Sequence, residues 1–387
     1  MREKIILFLL TLILFWGGLN IHPDMFAAFA IPTVLLIFFL SVEESGHLKI
    51  KIPRYFWVYG IFLATVLITN LLHSHTPYNI GNIFLSNFIL GTIFWLAAYN
   101  IKNPKLNTAI LKIVILLGGI FAIVSFTLLA LMLQNTNLTS ILVSLPSSVS
   151  LVIPLQTSFH HQFIGDYWEI VILAAFYFAS KKDNWKYWAL IVIGFVILIP
   201  SQSRSALLAL AIGIILLKPL GNEVKIINSK ISNILLVILA ILFVAVGIEK
   251  PTIFSRIYFI KAIYGFIQHP LGIGMGNFWN IDSSNHISIF NFYAVQARSL
   301  YTHNIILEII LGLGIFSLPF LIWITAISIS LLNNSDQNVL IYRSIFFVIL
   351  INFLFTQTYI NPAMFCVMFI NLGLAQKEIA NCSKMSN

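Results

Sequence analysis

Charge is scarce in this sequence. Charged residues make up 9% of its 387 residues and hydrophobic residues 59%, whereas soluble domains carry about 25% charged residues. The mean hydropathy is +0.95. A chain this apolar cannot present enough polar groups to water, so the composition excludes an ordinary soluble domain and predicts an integral membrane protein.

Several chemical features are also missing. The two cysteines, Cys366 and Cys382, are predicted in the last span and the cytoplasmic tail, where neither can form an extracytoplasmic disulfide. No Asp-x-Asp pair occurs, so a divalent cation holding a diphosphate would lack its usual carboxylates. The glycines of HPLGIGMGNF (269–278) form no G-x-G-x-x-G fingerprint. The sequence predicts no metal and no cofactor, and it predicts a tight turn at 269–278 where backbone approaches backbone or ligand.

Apolar runs with a helical period occupy most of the chain. A helix needs about 17 to 25 apolar residues to cross a hydrocarbon core of ~30 Å, and twelve runs are candidates, several of them short. The sequence therefore predicts an all-α polytopic membrane protein with a single membrane domain over 1–387. The predicted spans are 5–21, 25–41, 55–72, 79–99, 107–133, 166–180, 187–200, 205–219, 231–248, 303–331, 340–358 and 361–376.

The distribution of Lys and Arg predicts the orientation of these spans. With both termini cytoplasmic, all but five of the 22 basic residues fall on the cytoplasmic side. The net charge of +9 then reflects membrane topology. It does not indicate nucleic-acid binding, which would need basic residues gathered on one soluble face. The five basic residues on the outer side are Arg204, Lys250, Arg256, Lys261 and Arg298.

Two long loops are predicted on the outer side, at 134–165 and 249–302. The second lies between the ninth and tenth spans and is too rich in apolar residues to be disordered. Its segment 253–268 has the pattern of a helix lying in the membrane interface. Long loops are usually functional, so function is expected on the outer face.

The stretch SQSRS (201–205) places Arg204 among three serines at the start of the eighth span. A helix N-terminus carries a partial positive charge, so a cation there is unfavourable unless an anion joins it. Helix N-terminal amides and a guanidinium fork together suit a phosphate. The alternative is an interfacial arginine that extends to water.

The stretch SLYTHNIILEIILGLG (299–314) opens the tenth span. His303 suits a general base, because imidazole is mostly neutral at external pH. Asn304, Glu308 and Gly312 share one helix face, and Glu308 lies inside the membrane, where ionisable groups are rare. The alternative is structural, with His303 as a helix cap and Glu308 as a lock between helices.

Three more cations, Arg256, Lys261 and Arg298, are predicted in the loop 249–302. Taken singly, each suits an interface anchor. Together with Arg204 they are exceptional on a face that otherwise avoids basic residues, and an anionic ligand at the outer leaflet would explain them.

Three segments together resemble the O-antigen ligase and polymerase superfamily. SQSRSALLAL, SRIYFIKAIYGFIQHPLGIGMGNF and YTHNIILEIILGLG stand in the order of that family's signatures and cover about residues 200–320. Arg204 with Leu208 resembles an R-x3-L element. Arg256 stands where the family has an arginine upstream of an HPLGxG turn. His303 with Asn304 resembles the His-Asn pair after the large periplasmic loop.

The resemblance implies a GT-C-like fold in the bacterial inner membrane and a metal-independent glycosyltransferase. The donor would be an undecaprenyl-diphosphate-linked glycan at the periplasmic face. Arg204 and Arg256 would stabilise the diphosphate, and His303 would accept the proton of the acceptor hydroxyl. Further substrate contacts are expected from Asn304, Arg298, Lys261 and Glu308.

The expected reaction is polymerisation of O-antigen or other surface polysaccharide repeat units. The loop from Arg256 to His303 is compact and lacks a further basic cluster for the phosphorylated sugars of a lipopolysaccharide core. A ligase that transfers the glycan to lipid A core and a transporter of lipid-linked oligosaccharide are the alternatives. Besides donor, acceptor and bilayer, a chain-length regulator and a flippase are expected partners.

Overall fold

The protein is helical over nearly all of the chain that the computed structural model describes. The described residues are 2–18, 32–33, 35–37, 39, 50–72, 80–101, 103–135, 151–153, 157–159, 161–181, 184–201, 203–217, 233–237, 239, 263–277, 304–334, 336–356 and 362–385. The long helices are α1 Arg2–Gly18, α2 Phe56–Leu72, α3 Ile80–Asn100, α4 Pro104–Asn135, α5 His161–Lys181, α6 Trp185–Ser201, α7 Arg204–Leu216, α8 Ile305–Leu313, α9 Leu318–Leu332, α10 Gln337–Phe355 and α11 Pro362–Met385. Two short antiparallel strands, β1 Leu151–Ile153 and β2 Thr157–Phe159, form a hairpin in which Val152 lies opposite Ser158.

Capping residues determine where three of these helices begin. Ser203 precedes α7, Asn304 precedes α8 and Asp336 precedes α10, each with an extended backbone. The side-chain oxygen of each accepts a hydrogen bond from a backbone N–H of the first turn, which satisfies a donor that the helix itself cannot. The predicted starts of these spans therefore agree with the structure to within a few residues.

Every predicted span except 25–41 and 231–248, which lie mostly outside the described residues, coincides with a described helix. The largest difference between a predicted and an observed helix end is in α11, which continues nine residues past the apolar run predicted to end at residue 376. Polar contacts explain the extension. Trp95 Nε1 donates to Gln376 Oε1 at 2.9 Å, and Asn107 Nδ2 donates to Glu378 Oε1 at 3.0 Å.

Two helical stretches within the described residues, Ile305–Leu332 and Gln337–Phe355, are long and apolar enough to cross a membrane. Four shorter apolar helices accompany them: Phe56–Leu72, Phe84–Asn100, Trp185–Leu198 and Arg204–Leu216. The structure thus confirms a helical chain with two helical stretches of span length within the described residues. The full set of about twelve spans remains a prediction.

The core between α2, α3, α9 and α11 is built from large aromatic side chains. Tyr59 lies 4.6 Å from Trp323 between ring centroids, and Trp323 stacks on Phe369 at 5.9 Å and an interplanar angle of 14°. Trp95 meets Trp323 edge-on at 5.8 Å. Offset and edge-on ring pairs add to the stabilisation from burial, so these aromatic residues tie four helices together.

Helix ends define the two ends of the bundle. We call "the cluster end" the end at which α5, α7 and α8 begin and α10 ends, and "the opposite end" the end at which α10 begins and α7, α9 and α11 end. The sequence counted Arg343 among the cytoplasmic cations, but the structure buries it to 1% exposure at the opposite end. Its guanidinium donates to the carbonyls of Leu216 at 2.6 Å and Asn334 at 2.7 Å. A cation there stabilises the negative ends of α7 and α9.

The span predicted over 303–331 is present but interrupted. Gly314, with φ +59°, ends α8, and a 3₁₀ turn over Gly314–Ser317 leads into α9. A helix that ends inside an apolar bundle leaves carbonyl groups without partners. The break therefore needs donors from elsewhere in the protein.

The glycine-rich turn supplies those donors. Ile273 N–H donates to Leu311 O at 3.1 Å and Gly274 N–H to Gly312 O at 2.9 Å, while Pro270 O accepts from Ile315 N–H at 2.9 Å. The prediction of a tight turn at which backbone approaches backbone is confirmed for residues 269–277, and residue 278 lies outside the described residues. Residues 263–268 form a short helix that leads into the turn, and residues 253–262 of the predicted interfacial helix lie outside the described residues.

Replacing either glycine at this contact should destabilise the protein. Gly272 (φ +88°) and Gly314 (φ +59°) adopt conformations that L side chains rarely accept, and a Cβ at either would collide with opposing backbone. We expect Gly272→Ala and Gly314→Ala each to lower the free energy of unfolding by about 2 kcal/mol or more. Thermal unfolding in detergent measures the effect.

Gly60 provides the matched control, because a Cβ there would meet no heavy atom within 4 Å. Gly60→Ala, in the middle of α2, should keep or raise the unfolding temperature. Equal losses in all three variants would contradict the proposed backbone contact.

Cys382 should react slowly with thiol reagents. The thiol donates to Asp336 Oδ2 at 3.0 Å, and this contact raises the pKa of Cys382 to about 11. The thiolate is the reactive form, so Asp336→Asn, which removes the negative charge, should speed maleimide labelling at pH 8 by about tenfold or more. Buried Cys366 should remain unlabelled in both proteins, and an unchanged labelling rate in Asp336→Asn would refute the contact.

Candidate functional site

Polar residues from three helices, α5, α7 and α10, meet at the cluster end. Within an otherwise apolar bundle, the side chains of Asp166, Glu169, Ser203, Ser205, Asn352 and Thr356 are all buried. We call these six residues the helix-end cluster. Buried polar groups are costly unless they are hydrogen-bonded, so their concentration at one place points to a purpose beyond packing.

Asp166 joins three helix ends. Ser203 Oγ, at the start of α7, donates to Asp166 Oδ1 at 3.2 Å, and Thr356 Oγ1, just after α10, donates to Asp166 Oδ2 at 3.3 Å. Ser203 also lies 3.0 Å from the hydroxyl of Ser205. The carboxylate of Asp166 on α5 is therefore held by hydroxyl groups on both of its oxygens.

Glu169 lies one turn deeper on α5 and pairs with Asn352 of α10. Asn352 Nδ2 donates to Glu169 Oε1, and both side chains are fully buried. Within the described chain, Glu169 Oε2 and Asn352 Oδ1 receive no hydrogen bond. The pair has two buried acceptors and no donor for either, an arrangement that costs stability.

Arg204 is the first residue of α7 and lies between two members of the helix-end cluster. It is half-buried, whereas Ser203 and Ser205 on either side are buried. Ser203 Oγ accepts from Ala206 N–H at 3.4 Å, and Leu207 N–H closes the first turn on Ser203 O at 3.2 Å. The structure thus confirms that Arg204 starts a helix at the end where polar groups gather.

Asn304 joins α8 to the end of α10. Its Oδ1 accepts from Leu307 N–H at 3.0 Å and its Nδ2 donates to Leu354 O at 2.9 Å. Both polar atoms of the side chain are engaged by the protein, and this suits a residue that fixes the start of α8. The sequence predicted a substrate contact here, and that role remains a prediction.

Glu308 and Gly312 continue the face of α8 that Asn304 begins. Glu308 is 1% exposed, and a Cβ on Gly312 would lie 3.0 Å from Met275 Cα in the glycine-rich turn. The shared face predicted from the i, i+4, i+8 spacing is therefore a buried face, along which α8 packs against the rest of the protein.

The structure brings some of the predicted site residues together. Arg204 and Asn304 both lie at the cluster end. Ser203, which precedes Arg204, shares Asp166 with Thr356 at the end of α10, and Asn304 donates to Leu354 O near the same end. Glu308 lies about one turn deeper. The remaining predicted residues, His303, Arg256, Lys261 and Arg298, lie outside the described residues.

Sequence reasoning missed Asp166, Glu169, Asn352 and Thr356 as site residues. The spacing of the two acids, three apart in an apolar helix, carried a signal, because ionisable residues at such positions are usually paired or functional. Nothing comparable marks Asn352 and Thr356, whose partners lie more than 180 residues away in the sequence.

No group of three or more His, Cys, Asp or Glu side chains within the described residues is arranged to hold a metal ion. Asp166 and Glu169 are engaged by hydroxyl and amide donors. The arrangement at the cluster end offers a guanidinium, a helix N-terminus and buried carboxylates as its chemical groups.

No protein-family model matches this chain, and no curated protein sequence matches it.

The Glu169–Asn352 pair generates a stability prediction. Glu169→Gln keeps the acceptor for Asn352 Nδ2 and adds an amide donor for Asn352 Oδ1, so the unfolding temperature should stay equal or rise. Glu169→Leu removes the acceptor and should lower the free energy of unfolding by about 1–3 kcal/mol. Thermal unfolding of the two purified variants distinguishes them, and equal destabilisation by both would rule out the proposed pairing.

Proposed function

We propose that this chain is a membrane glycosyltransferase that uses an undecaprenyl-diphosphate-linked glycan and polymerises repeat units of a surface polysaccharide. The observation that carries the proposal is the meeting of two resembling segments at one end of α10. Ser203 and Arg204 from the first segment and Asn304 from the third segment lie there together. The second segment, which contains the glycine-rich turn, contacts the third at Leu311 and Gly312.

A membrane location is supported by apolar side chains that face outward. On α2, Trp57, Ile61, Ile68 and Leu72 are each more than half exposed and recur on one helix face. On α9, Leu318 and Ile322 show the same pattern. Exposed apolar faces of this kind mark membrane or protein contact, and α9 belongs to a helical stretch of span length.

Arg204 is proposed to bind the diphosphate of the donor. It is the first residue of α7, where the positive end of the helix dipole favours an anion. Negative charge grows on the diphosphate as the glycosidic bond breaks, and preorganised cations and amides stabilise that charge. Arg256 is the second proposed contact, on the strength of the resemblance.

The acceptor hydroxyl is proposed to attack the anomeric carbon of the donor while His303 takes the hydroxyl proton. The bond from that carbon to the phosphate oxygen breaks, and undecaprenyl diphosphate leaves with the electron pair. Asn304 supports this role through its contacts to Leu307 and Leu354, which hold the chain beside residue 303. Arg298, Lys261 and Glu308 are second-rank candidates for contacts to sugar or phosphate.

A transporter of lipid-linked oligosaccharide is a second candidate, and one observation favours it. Transporters place broken helices and ionisable groups deep in the membrane. The break at Gly314 lies about ten residues into a span-length helix, and Glu169 is fully buried. Transport of a labelled lipid-linked glycan without a covalent product would support this candidate over the transferase.

Arginine and histidine substitutions test the transferase. In a deletion strain complemented with each variant, Arg204→Ala should slow polymerisation by about 10²–10³-fold and shorten the polysaccharide ladder on a gel. Arg204→Lys should restore only part of the activity, because an ammonium cannot form the bidentate contact. His303→Ala should abolish chain extension.

Arg54→Ala serves as the matched control. Arg54 is an exposed arginine at the opposite end, with its guanidinium 4.9 Å from the Tyr55 ring centroid, so its loss should leave the ladder normal. Normal chains in Arg204→Ala and His303→Ala at normal protein level would refute the assignment.

The deletion strain also separates polymerase from ligase. A single repeat unit on lipid A core indicates a lost polymerase. Bare core with accumulated lipid-linked polymer indicates a lost ligase and would replace the proposed reaction with transfer to lipid A core. The bacterial inner membrane, with both termini cytoplasmic, is the proposed location.

A further inference from the structure

A polar pocket of about 340 Å³ lies at the opposite end of the bundle, between α4, α5, α6, α10 and α11. Pockets that hold small ligands have volumes of about 300–1,000 Å³. The pocket lies far along the helices from the helix-end cluster, so it does not belong to the site described above. Its charged and aromatic polar lining consists of Lys112, Tyr177, Lys181, Tyr187, Tyr342 and Glu378.

Two lysines give the pocket a positive charge. Lys112 and Lys181 are both exposed, and neither has a carboxylate partner among the residues that the structure describes. The ammonium of Lys181 lies 4.5 Å from the ring centroid of Tyr177. A cation over an aromatic face is held in place by the ring, so this ammonium is positioned at the pocket.

The one acid in the lining, Glu378, offsets only part of this positive charge. Glu378 Oε1 accepts from Asn107 Nδ2 at 3.0 Å, and Asn107 Oδ1 in turn accepts from Lys377 Nζ at 3.3 Å. Glu378 thus takes part in a chain of contacts that joins α11 to α4. The pocket has two ammonium groups for one carboxylate.

Tyrosines supply donors beside the lysines. Tyr177 and Tyr342 are 7% and 6% exposed, and neither hydroxyl makes a hydrogen bond with the described part of the protein. Tyr187 stacks on Phe178 at 5.4 Å and closes the side of the pocket next to α6. Ammonium and phenol groups can all donate to the oxygens of an anion.

We propose that this pocket binds the phosphate group of an anionic phospholipid headgroup, with Lys112 and Lys181 contacting the phosphate. Basic pockets between membrane helices hold anionic lipid headgroups in this way. One turn along α4 from Lys112, Leu116 is 58% exposed, and on α6 Val192 is 62% exposed. These side chains offer an apolar surface to the acyl chains. The inference depends on the proposed membrane location and is independent of transferase activity.

Native mass spectrometry of the purified full-length protein tests the proposal. The probes are phosphatidylglycerol, cardiolipin, phosphatidylcholine and inorganic phosphate, each added separately. We expect the two anionic lipids to bind in preference to phosphatidylcholine, and the double variant Lys112→Gln/Lys181→Gln to weaken that binding by about tenfold.

Lys105→Gln/Lys186→Gln is the matched control. Both lysines are exposed near the same helix ends but do not line the pocket, so this variant loses the same charge and should bind anionic lipid normally. Equal weakening in both double variants would show non-specific attraction and overturn the proposal. Binding of phosphatidylcholine with the same affinity as the anionic lipids would also overturn the proposal.

Inorganic phosphate distinguishes a lipid from a soluble ligand. Failure of millimolar phosphate to displace bound phosphatidylglycerol supports a lipid site, whereas complete displacement would overturn the lipid assignment in favour of a soluble phosphate. Because binding is measured without donor glycan, a negative result leaves the glycosyltransferase proposal intact. Likewise, the outcome of the polysaccharide assays does not alter the lipid-binding measurement.

Discussion

Backbone groups at helix ends must find hydrogen-bond partners when those ends lie inside an apolar bundle, and the architecture of this protein depends on how they do so. The break after α8 is possible because Ile273 and Gly274 donate to the carbonyls of Leu311 and Gly312. At the opposite end, Arg343 donates to carbonyls at the ends of α7 and α9. Without these contacts the breaks in the helices would expose unsatisfied carbonyls to an apolar environment.

The same constraint explains why polar side chains gather at the cluster end. The backbone N–H groups at a helix start need acceptors, and the side chains of Ser203 and Asn304 supply them. Ser203 also donates to Asp166, and Asn304 also donates to Leu354 O at the end of α10. Asp166 accepts hydrogen bonds through both oxygens, but among the described residues the Glu169–Asn352 pair beneath it has two acceptors without a donor. A buried polar network that is only partly satisfied lowers stability, so selection for packing alone would favour apolar residues at these positions.

The two ends of the bundle have different chemistry. The cluster end combines buried carboxylates with Arg204 at a helix N-terminus. The guanidinium and the helix N-terminus suit negative charge that develops during a reaction. The opposite end presents Lys112 and Lys181 around an open pocket, which suits a resident anion at a membrane surface. In the proposed protein the first end carries the chemistry, and the second end contacts lipid headgroups.

Much of the fold followed from the sequence alone. Apolar runs marked the helices and placed their starts to within a few residues, because hydrophobic periodicity is a local signal. The glycines of 269–278 marked a tight turn, since their conformations are local as well. What the sequence could not decide is which distant groups meet. The docking of that turn at Gly312–Gly314, the burial of Arg343 and the joining of Asp166 to Thr356 all link residues far apart in the chain. Only tertiary packing selects such partners, because the desolvation of each polar group depends on every helix around it.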